Sequence, residues 1–249
     1  MKKRSFFVVL GLCLVMLLSV IPAYGAQANS SKLNDKEISE LKAKLNSEGL
    51  AKDKQELLIQ KIMNGELIDS INPEKLKAIP KDYFSLSNID SEKKYVFPDG
   101  SYCKTSTINI IPENEQKLLD AIGDKKVVDK LINNKDKNSE QIVRTSGFNN
   151  YSIWIQHDFI VTGGGFQCSF TTASDFYTGR SIINSISSPM SWGVGGQTNT
   201  ETLTMDRQAQ IGTTPAQASL RWRFVAMSGA GSFWYGFTFN LRYEDWWVS

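Results

Sequence analysis

The sequence predicts an α+β chain, with a small helical amino-terminal module followed by an antiparallel all-β sandwich or barrel. Two observations lead there. Apolar residues recur every three or four positions up to about residue 79 and every second position from Gly147 onward. These are the repeats of a helix face and of a pleated strand. Charge divides in the same region. Residues 29–144 carry 20 basic and 20 acidic side chains, residues 145–249 only 5 and 6, and all five of those bases are arginine. Four segments are therefore expected: 1–28, 29–93, 94–145 and 146–249.

Segment 1–28 reads as a bacterial secretory signal peptide. Met1-Lys2-Lys3-Arg4 is basic, Phe6 to Val20 is apolar, and small residues alternate just before polar sequence begins at Gln27. Cleavage after Gly25 or after Ala28 satisfies the small-x-small rule, and Pro22 with its small neighbours argues against an uncleaved anchor. Cys13 follows Leu12, not the small residue that a lipid anchor needs. No later stretch is apolar enough to cross a bilayer as a helix. The expected location is outside the cell. Without Lys2, Lys3 and Arg4 the chain has 25 basic and 26 acidic residues, and so near-neutral a surface excludes broad steering onto nucleic acid or anionic membrane.

Segment 29–93 starts with a polar lead. Asn34 with Glu37 forms a capping-box pattern, and Ile38, Leu41 and Leu45 follow on one helical face. Gly49 supplies a left-handed stop. A second helix is expected over Lys52 to Met63, and Asn72-Pro73 resembles a third cap with proline at the first helical position. In segment 94–145, Phe97-Pro98-Asp99-Gly100 is a turn between strand-like flanks, which predicts a β-hairpin over 94–111. Glu113 to Ile132 is helix-like, and Asn133 to Thr145 reads as a polar linker.

Segment 146–249 alternates. Tyr151, Ile153, Ile155, His157 and Phe159 share one face. Ala218, Leu220, Trp222 and Phe224 share another, and Tyr235, Phe237, Phe239 and Leu241 a third. Arg221, Arg223, Thr238 and Asn240 fall on the opposite sides, the pattern of half-buried antiparallel strands. Further strands are expected at 166–172, 176–186, 190–194 and 198–211, and a hairpin loop at Ser228 to Gly231. Gly163-Gly164-Gly165 and Gly195-Gly196 are expected to be turns between them.

Some of these stretches resemble known proteins. Lys61-Ile62-Met63-Asn64-Gly65-Glu66, Asp69-Ser70, Asn72-Pro73-Glu74 and Phe97-Pro98-Asp99-Gly100-Ser101 are similar to a module of uncharacterised secreted proteins of Gram-positive bacteria. Ser191 to Gly196 and Ala218 to Phe224 resemble the β-rich end of the same proteins. The resemblance implies export and architecture and brings no activity or site residue.

Beyond the signal segment two cysteines remain, Cys103 and Cys168. In an oxidising exterior such a pair is expected to form a disulfide, worth about 4 kcal/mol for the loop it would close. Two buried free thiols are the alternative.

No motif for chemistry stands out. His157 is the only histidine and lies on an apolar strand face, where packing explains it better than a hydrolytic triad. One histidine is too few for a nitrogen–sulfur metal site, and Asn134, Asp136, Asn138 and Glu140 lack the glycine of a calcium loop. We expect no metal and no cofactor. Asp158, Asp175, Glu201, Asp206, Glu244 and Asp245 show no spacing that pairs two carboxylates across a glycosidic bond. The six tryptophans all fall in the β segment. Trp154 and Trp234 alternate away from the apolar faces and Trp246-Trp247 stands near the end, so these four are the candidate ligand-binding residues, unless a second layer covers them. The expectation is a secreted, non-enzymatic binding protein whose partner is a cell-surface carbohydrate or protein. The alternatives are a membrane-active, pore-forming protein built on the threonine-rich strand near Gln197 to Ile211 and a cell-wall hydrolase.

Overall fold

The computed structural model describes residues 33–80, 83–86, 88–138, 148–174, 179–194, 196–226 and 231–249. The expected signal peptide, most of the polar stretch before residue 146 and the loop at 228–230 lie outside them.

The helical module forms as the capping signals dictate. Helix α1 (Asp35–Ser47) opens on Asn34, whose side chain accepts from the Glu37 amide while the Glu37 carboxylate accepts from the Asn34 amide. Helix α2 (Lys52–Met63) follows, and a 3-10 turn (Asp69–Ile71) leads to the one-turn helix α3 (Pro73–Leu76), capped by Asn72. A two-residue strand β1 (Ser85–Leu86), which the sequence pattern is too short to reveal, precedes the expected hairpin of β2 (Glu92–Val96) and β3 (Tyr102–Asn109). The helix-like stretch splits into α4 (Glu115–Ile122) and α5 (Lys125–Asn138), because Gly123 takes a left-handed φ of 74° and ends the first. Residues 133–138, expected in a linker, thus belong to a helix.

Six long strands and one short one complete the chain: β4 (Phe148–Asp158), β5 (Thr162–Ala173), β6 (Ile182–Gly193), β7 (Gly196–Arg207), β8 (Ala216–Ala226), β9 (Gly231–Arg242) and β10 (Asp245–Val248). They form two five-stranded antiparallel sheets. Sheet A has the order β1-β10-β9-β8-β7 and sheet B the order β2-β3-β4-β5-β6. On one side the sheets also touch through the backbone, where Ile183 donates to Gln208 and Gln210 donates to Ser181. The fold is therefore a sandwich with one partly closed flank.

Both sheets recruit strands from before residue 110, and the core ignores the segment boundaries read from composition. One buried cluster holds Leu41, Leu45 and Leu58 of the helices together with Phe166, Trp222, Phe237 and Phe239 between the sheets. A second lies outside sheet B, where Ile110, Leu118, Ile122, Val128 and Leu131 pack on Trp154.

Three expectations are corrected. Gly163, Gly164 and Gly165 lie inside β5, not in a turn. A Cβ at Gly163 would stand 2.7 Å from the Trp192 ring, at Gly164 2.9 Å from Trp222, and at Gly165 2.6 Å from Trp154. The strand is bare of side chains because three indoles lie against it. The stretches 176–186 and 190–194 contribute to one strand, β6, which bends through Ser188 with a φ of 54° before Pro189.

The disulfide is also corrected, since Cys103 and Cys168 are free and buried. Strand β4 stands between theirs. Cys168 opposes Ile153, whereas Thr105 opposes His157, so Cys103 lies two positions further on. Six residues of offset at about 3.3 Å each separate the thiols by roughly 20 Å, far beyond the ~7 Å that a disulfide permits between Cα atoms. Burial raises both thiol pKa values, which keeps the groups protonated and unreactive.

Candidate functional site

His157 and Asp158, weighed for catalysis, are both buried. His157 points between the sheets, its Nδ1 2.6 Å from the Thr105 hydroxyl and its ring edge-on to Phe84 and Phe159. Burial pushes its pKa down to about 3, so it is neutral near pH 7. Asp158, next in sequence, points to the opposite face of the sheet, so the two side chains cannot act as a pair. Asp158 is only 3% exposed. Its Oδ2 accepts from Gln156 at 2.7 Å, and the Gln156 carbonyl accepts from the Trp154 indole at 3.2 Å. Burial raises the Asp158 pKa. Of the remaining carboxylates, Asp206 accepts from Ser219 and Glu201 from Ser191, while Glu244 and Asp245 are exposed beside the β9–β10 turn. Asp175 and the side chains of Asn134, Asp136, Asn138 and Glu140 lie outside the described residues.

Two ion-paired clusters fasten the helical module to the sheet. The Asp99 carboxylate, in the Pro98-Asp99-Gly100 turn, accepts from Lys61 at 3.0 Å, from the Asp69 amide at 2.9 Å, and from the amide and hydroxyl of Ser101. The Ser70 amide in turn donates to the Ser101 hydroxyl. Burial opposes the charge on Asp99, yet these donors hold its pKa below the usual value. The short motifs Asp69-Ser70 and Pro98 to Ser101 thus meet in one hydrogen-bonded latch. The second cluster sets Glu48 of α1 between Lys94 at 2.8 Å and Lys104 at 2.9 Å. Burial alone would raise the Glu48 pKa; the two ammonium groups override it and bring it to about 2. Lys94 also lies 4.0 Å from the centre of the Tyr102 ring. These buried or half-buried pairs are joints of the fold, with every charge occupied.

The two outer sheet faces differ. Outside sheet B, helices α4 and α5 cover Trp154, which is 0% exposed. Outside sheet A, the residues that alternate away from the core stay in solvent along β7, β8 and β9: Asn199, Thr202, Arg221, Arg223, Ser232 and Trp234. Trp234 is 60% exposed, the largest exposed aromatic side chain among the described residues. Register sets Trp234 directly beside Arg223 and sets Gly236 beside Arg221. Gly236 has a packing reason, since a Cβ there would stand 3.0 Å from the Arg221 Cγ. The arginine stem therefore packs on β9 at Gly236, two residues along the strand from Trp234. Arg223 is oriented by its Nε, which donates to Ser232 at 2.5 Å. Among the described residues, no carboxylate lies within ion-pair distance of either guanidinium.

Of the four tryptophans expected at a binding surface, the structure keeps two there. Trp154 is beneath the helices, and Trp246 is 3% exposed and packs on Tyr151 and Phe170; both are core residues, because a second layer covers their side. Trp247 is half-buried on the same outer face as Trp234, three rows away, with the Arg242 guanidinium 5.7 Å from the ring centre. Trp234 alone offers an open ring. Arg221, Arg223 and Gly236 join it; the alternation of arginine against Leu220, Trp222 and Phe224 placed the two cations on that face, but cross-strand register was needed to set them beside the indole.

Two shallow hollows lie elsewhere among the described residues. One of about 420 Å³ is lined by Pro80, Tyr83, Lys93 and Lys94. The other, about 220 Å³, is lined by Arg180, Gln210, Ile211 and Tyr243 with Gly179 and Gly212. Neither gathers an acid and a base. Among the described residues no helix is long and apolar enough to cross a membrane.

No protein-family model and no curated protein sequence matches the chain. A solved structure of a hypothetical protein from Listeria monocytogenes is similar at 13% identity, covering 66% of this chain and 96% of that one with a TM-score of 0.31, too distant to carry an argument about fold or function.

Proposed function

We propose that the chain is exported and works outside the cell as a non-enzymatic saccharide-binding protein, its ligand lying on the outer face of sheet A across Trp234. One observation carries the reading: a tryptophan 60% exposed on the outer face of β9, which no other element covers among the described residues. An indole left in water sacrifices the ~2 kcal/mol or more that its burial would contribute. It gains a flat apolar surface on which the C–H face of a sugar ring can rest. Strands β8 and β9 hold it rigidly, and a ring fixed by its scaffold loses little entropy on binding. The polar neighbours Asn199, Thr202 and Thr238 supply hydrogen-bonding groups for hydroxyls. The test is a glycan-array screen of the chain from residue 29 onward beside its Trp234→Ala variant. Array signals abolished by that substitution support the reading, and signals that survive it move the site elsewhere.

A second reading rests on β6 and β7. Each is twelve residues long, enough for a tilted strand to cross a bilayer. They are consecutive in the chain, rich in serine and threonine, and each borders its own sheet. Against release into a membrane, Ile186, Leu203 and Met205 pack on the core. Dye release from liposomes of mixed anionic and neutral lipid decides: leakage at micromolar protein favours this reading, and none retires it.

A further inference from the structure

We infer that the saccharide taken by the Trp234 face is acidic, a polymer whose sugars carry carboxylates, and that Arg221 and Arg223 read those carboxylates. The inference rests on the saccharide-binding reading above and adds the class of ligand.

Three features point to it. First, Arg221 and Arg223 are exposed, and neither meets a carboxylate among the described residues. By register Glu201 and Asp206 of β7 are the acids nearest to them, and each carboxylate already accepts from a serine, Ser191 and Ser219. Two like charges two residues apart on one strand stand about 7 Å from each other. They repel, and an anion from outside relieves that repulsion. Second, the Arg223 fork is aimed and the Arg221 stem has room on the sheet. Ser232 fixes the Arg223 Nε, and among the described residues no hydrogen bond engages its two terminal nitrogens, which form a planar pair. Gly236 leaves the Arg221 stem room to pack on β9, two residues along from Trp234. A planar fork matches a carboxylate in two parallel hydrogen bonds. Third, backbone amides are spent in the ladder between β8 and β9, so the face offers an anion nothing but side chains. Phosphate sites draw on clustered backbone N–H groups at turns and helix starts, and a carboxylate needs only the fork. The use of arginine for all five bases after residue 144 fits the same demand.

The arrangement places a sugar ring against Trp234 and its carboxylate toward Arg223 across the strand or Arg221 beside it. No bond is made or broken; the recognition is stacking plus charge-assisted hydrogen bonds.

The test is a calorimetric titration of the chain from residue 29 onward with three polymers: polygalacturonate, the same polymer with its carboxyls reduced to alcohols, and poly(glycerol phosphate). Arg221→Gln/Arg223→Gln, Arg221→Lys/Arg223→Lys and Trp234→Ala variants are run beside it. All four substituted or parent chains expose these side chains, and their dichroism spectra check that the fold is kept. We expect polygalacturonate to bind at least roughly tenfold more tightly than its reduced form, the advantage to vanish in the glutamine variant, and most of it to vanish in the lysine variant, which keeps charge and loses the fork. Equal affinity for the acidic and reduced polymers, preference for the phosphate polymer, or full affinity in the lysine variant overturns the inference. The two readings fail separately. Equal affinity for the acidic and reduced polymers that is lost in Trp234→Ala keeps the saccharide site while the acidic specificity falls, and unchanged binding of every polymer in Trp234→Ala removes both.

Discussion

Trp154 and Trp234 present the same signal in the sequence and meet opposite fates. Each alternates away from an apolar strand face. Trp154, on sheet B, is roofed by α4 and α5 and anchors a second core; its indole N–H begins a hydrogen-bonded row through Gln156 to Asp158. Trp234, on sheet A, stands in solvent beside Arg223 and diagonal to Arg221, neither of them ion-paired among the described residues. Alternation reports which side of a strand a residue takes. It does not report what lies on that side. The covering layer of sheet B comes from residues 115–138, two helices just before β4 whose apolar runs are too short to declare their target. The difference also separates structure from function: the closed face is part of the stability of the fold, and the open one is available to a partner.

Substitutions sharpen this contrast, in order of expected size. Trp154→Ala removes the hub of the second core and leaves Gln156 without its donor; we expect a loss of about 3–5 kcal/mol in chemical denaturation, while Trp234→Ala stays within about 0.5 kcal/mol of the parent. Comparable losses at both positions would erase the distinction between the faces.

Next comes the joint between α1 and sheet B. The Glu48 pKa is lowered from 4.5 to about 2, so its contribution is present above pH 4.5 and disappears as pH falls toward 2. At neutral pH this amounts to at most about 3 kcal/mol. Glu48→Gln is therefore expected to lower stability at pH 7 and to flatten the dependence between pH 4.5 and 2. His157 adds to acid sensitivity in a higher window. Its pKa is depressed from 6.5 to about 3, so stability falls as pH drops from 6.5 toward 3, where the unfolded chain takes up a proton that the folded one refuses. Urea unfolding midpoints across pH 2 to 8 check both, and a Glu48→Gln profile parallel to the parent's would contradict the role of the pair.

A smaller effect is expected in the glycine strip. Gly165→Ala forces a methyl group against the Trp154 ring, at a cost of about 1–3 kcal/mol, and the loss should shrink when Trp154 is already alanine. Smallest of all, a reducing agent should leave the unfolding midpoint unchanged, because Cys103 and Cys168 are free; a drop on reduction would restore the disulfide that the register denies.

Much of the architecture was legible in the chain. The capping box at Asn34 and Glu37, the Pro98-Asp99-Gly100 turn and the period-two faces of β4, β8 and β9 are local signals, and the structure realises each one. What escaped was non-local. Three glycines in a row look like a turn until the tryptophans lying against them are known. Two cysteines look like a disulfide until β4 is found between them. Trp246, beside an exposed neighbour at the end of the chain, is core because β10 pairs with β9 and turns that side chain inward. At the candidate site, the alternation of Arg221 and Arg223 was visible, but their position beside Trp234 and the space supplied by Gly236 depend on the pairing of β8 with β9.

The account turns on which tryptophans water and ligand can reach. Hydroxyl-radical footprinting of the chain from residue 29 onward, read by mass spectrometry with and without polygalacturonate, measures this directly. The expected pattern is rapid oxidation of Trp234, protection of Trp154, Trp222 and Trp246 in the free chain, and loss of Trp234 reactivity when the polymer is added. A Trp234 already shielded in the free chain, or one that stays equally reactive once polymer is bound, would contradict the open face as the place of binding.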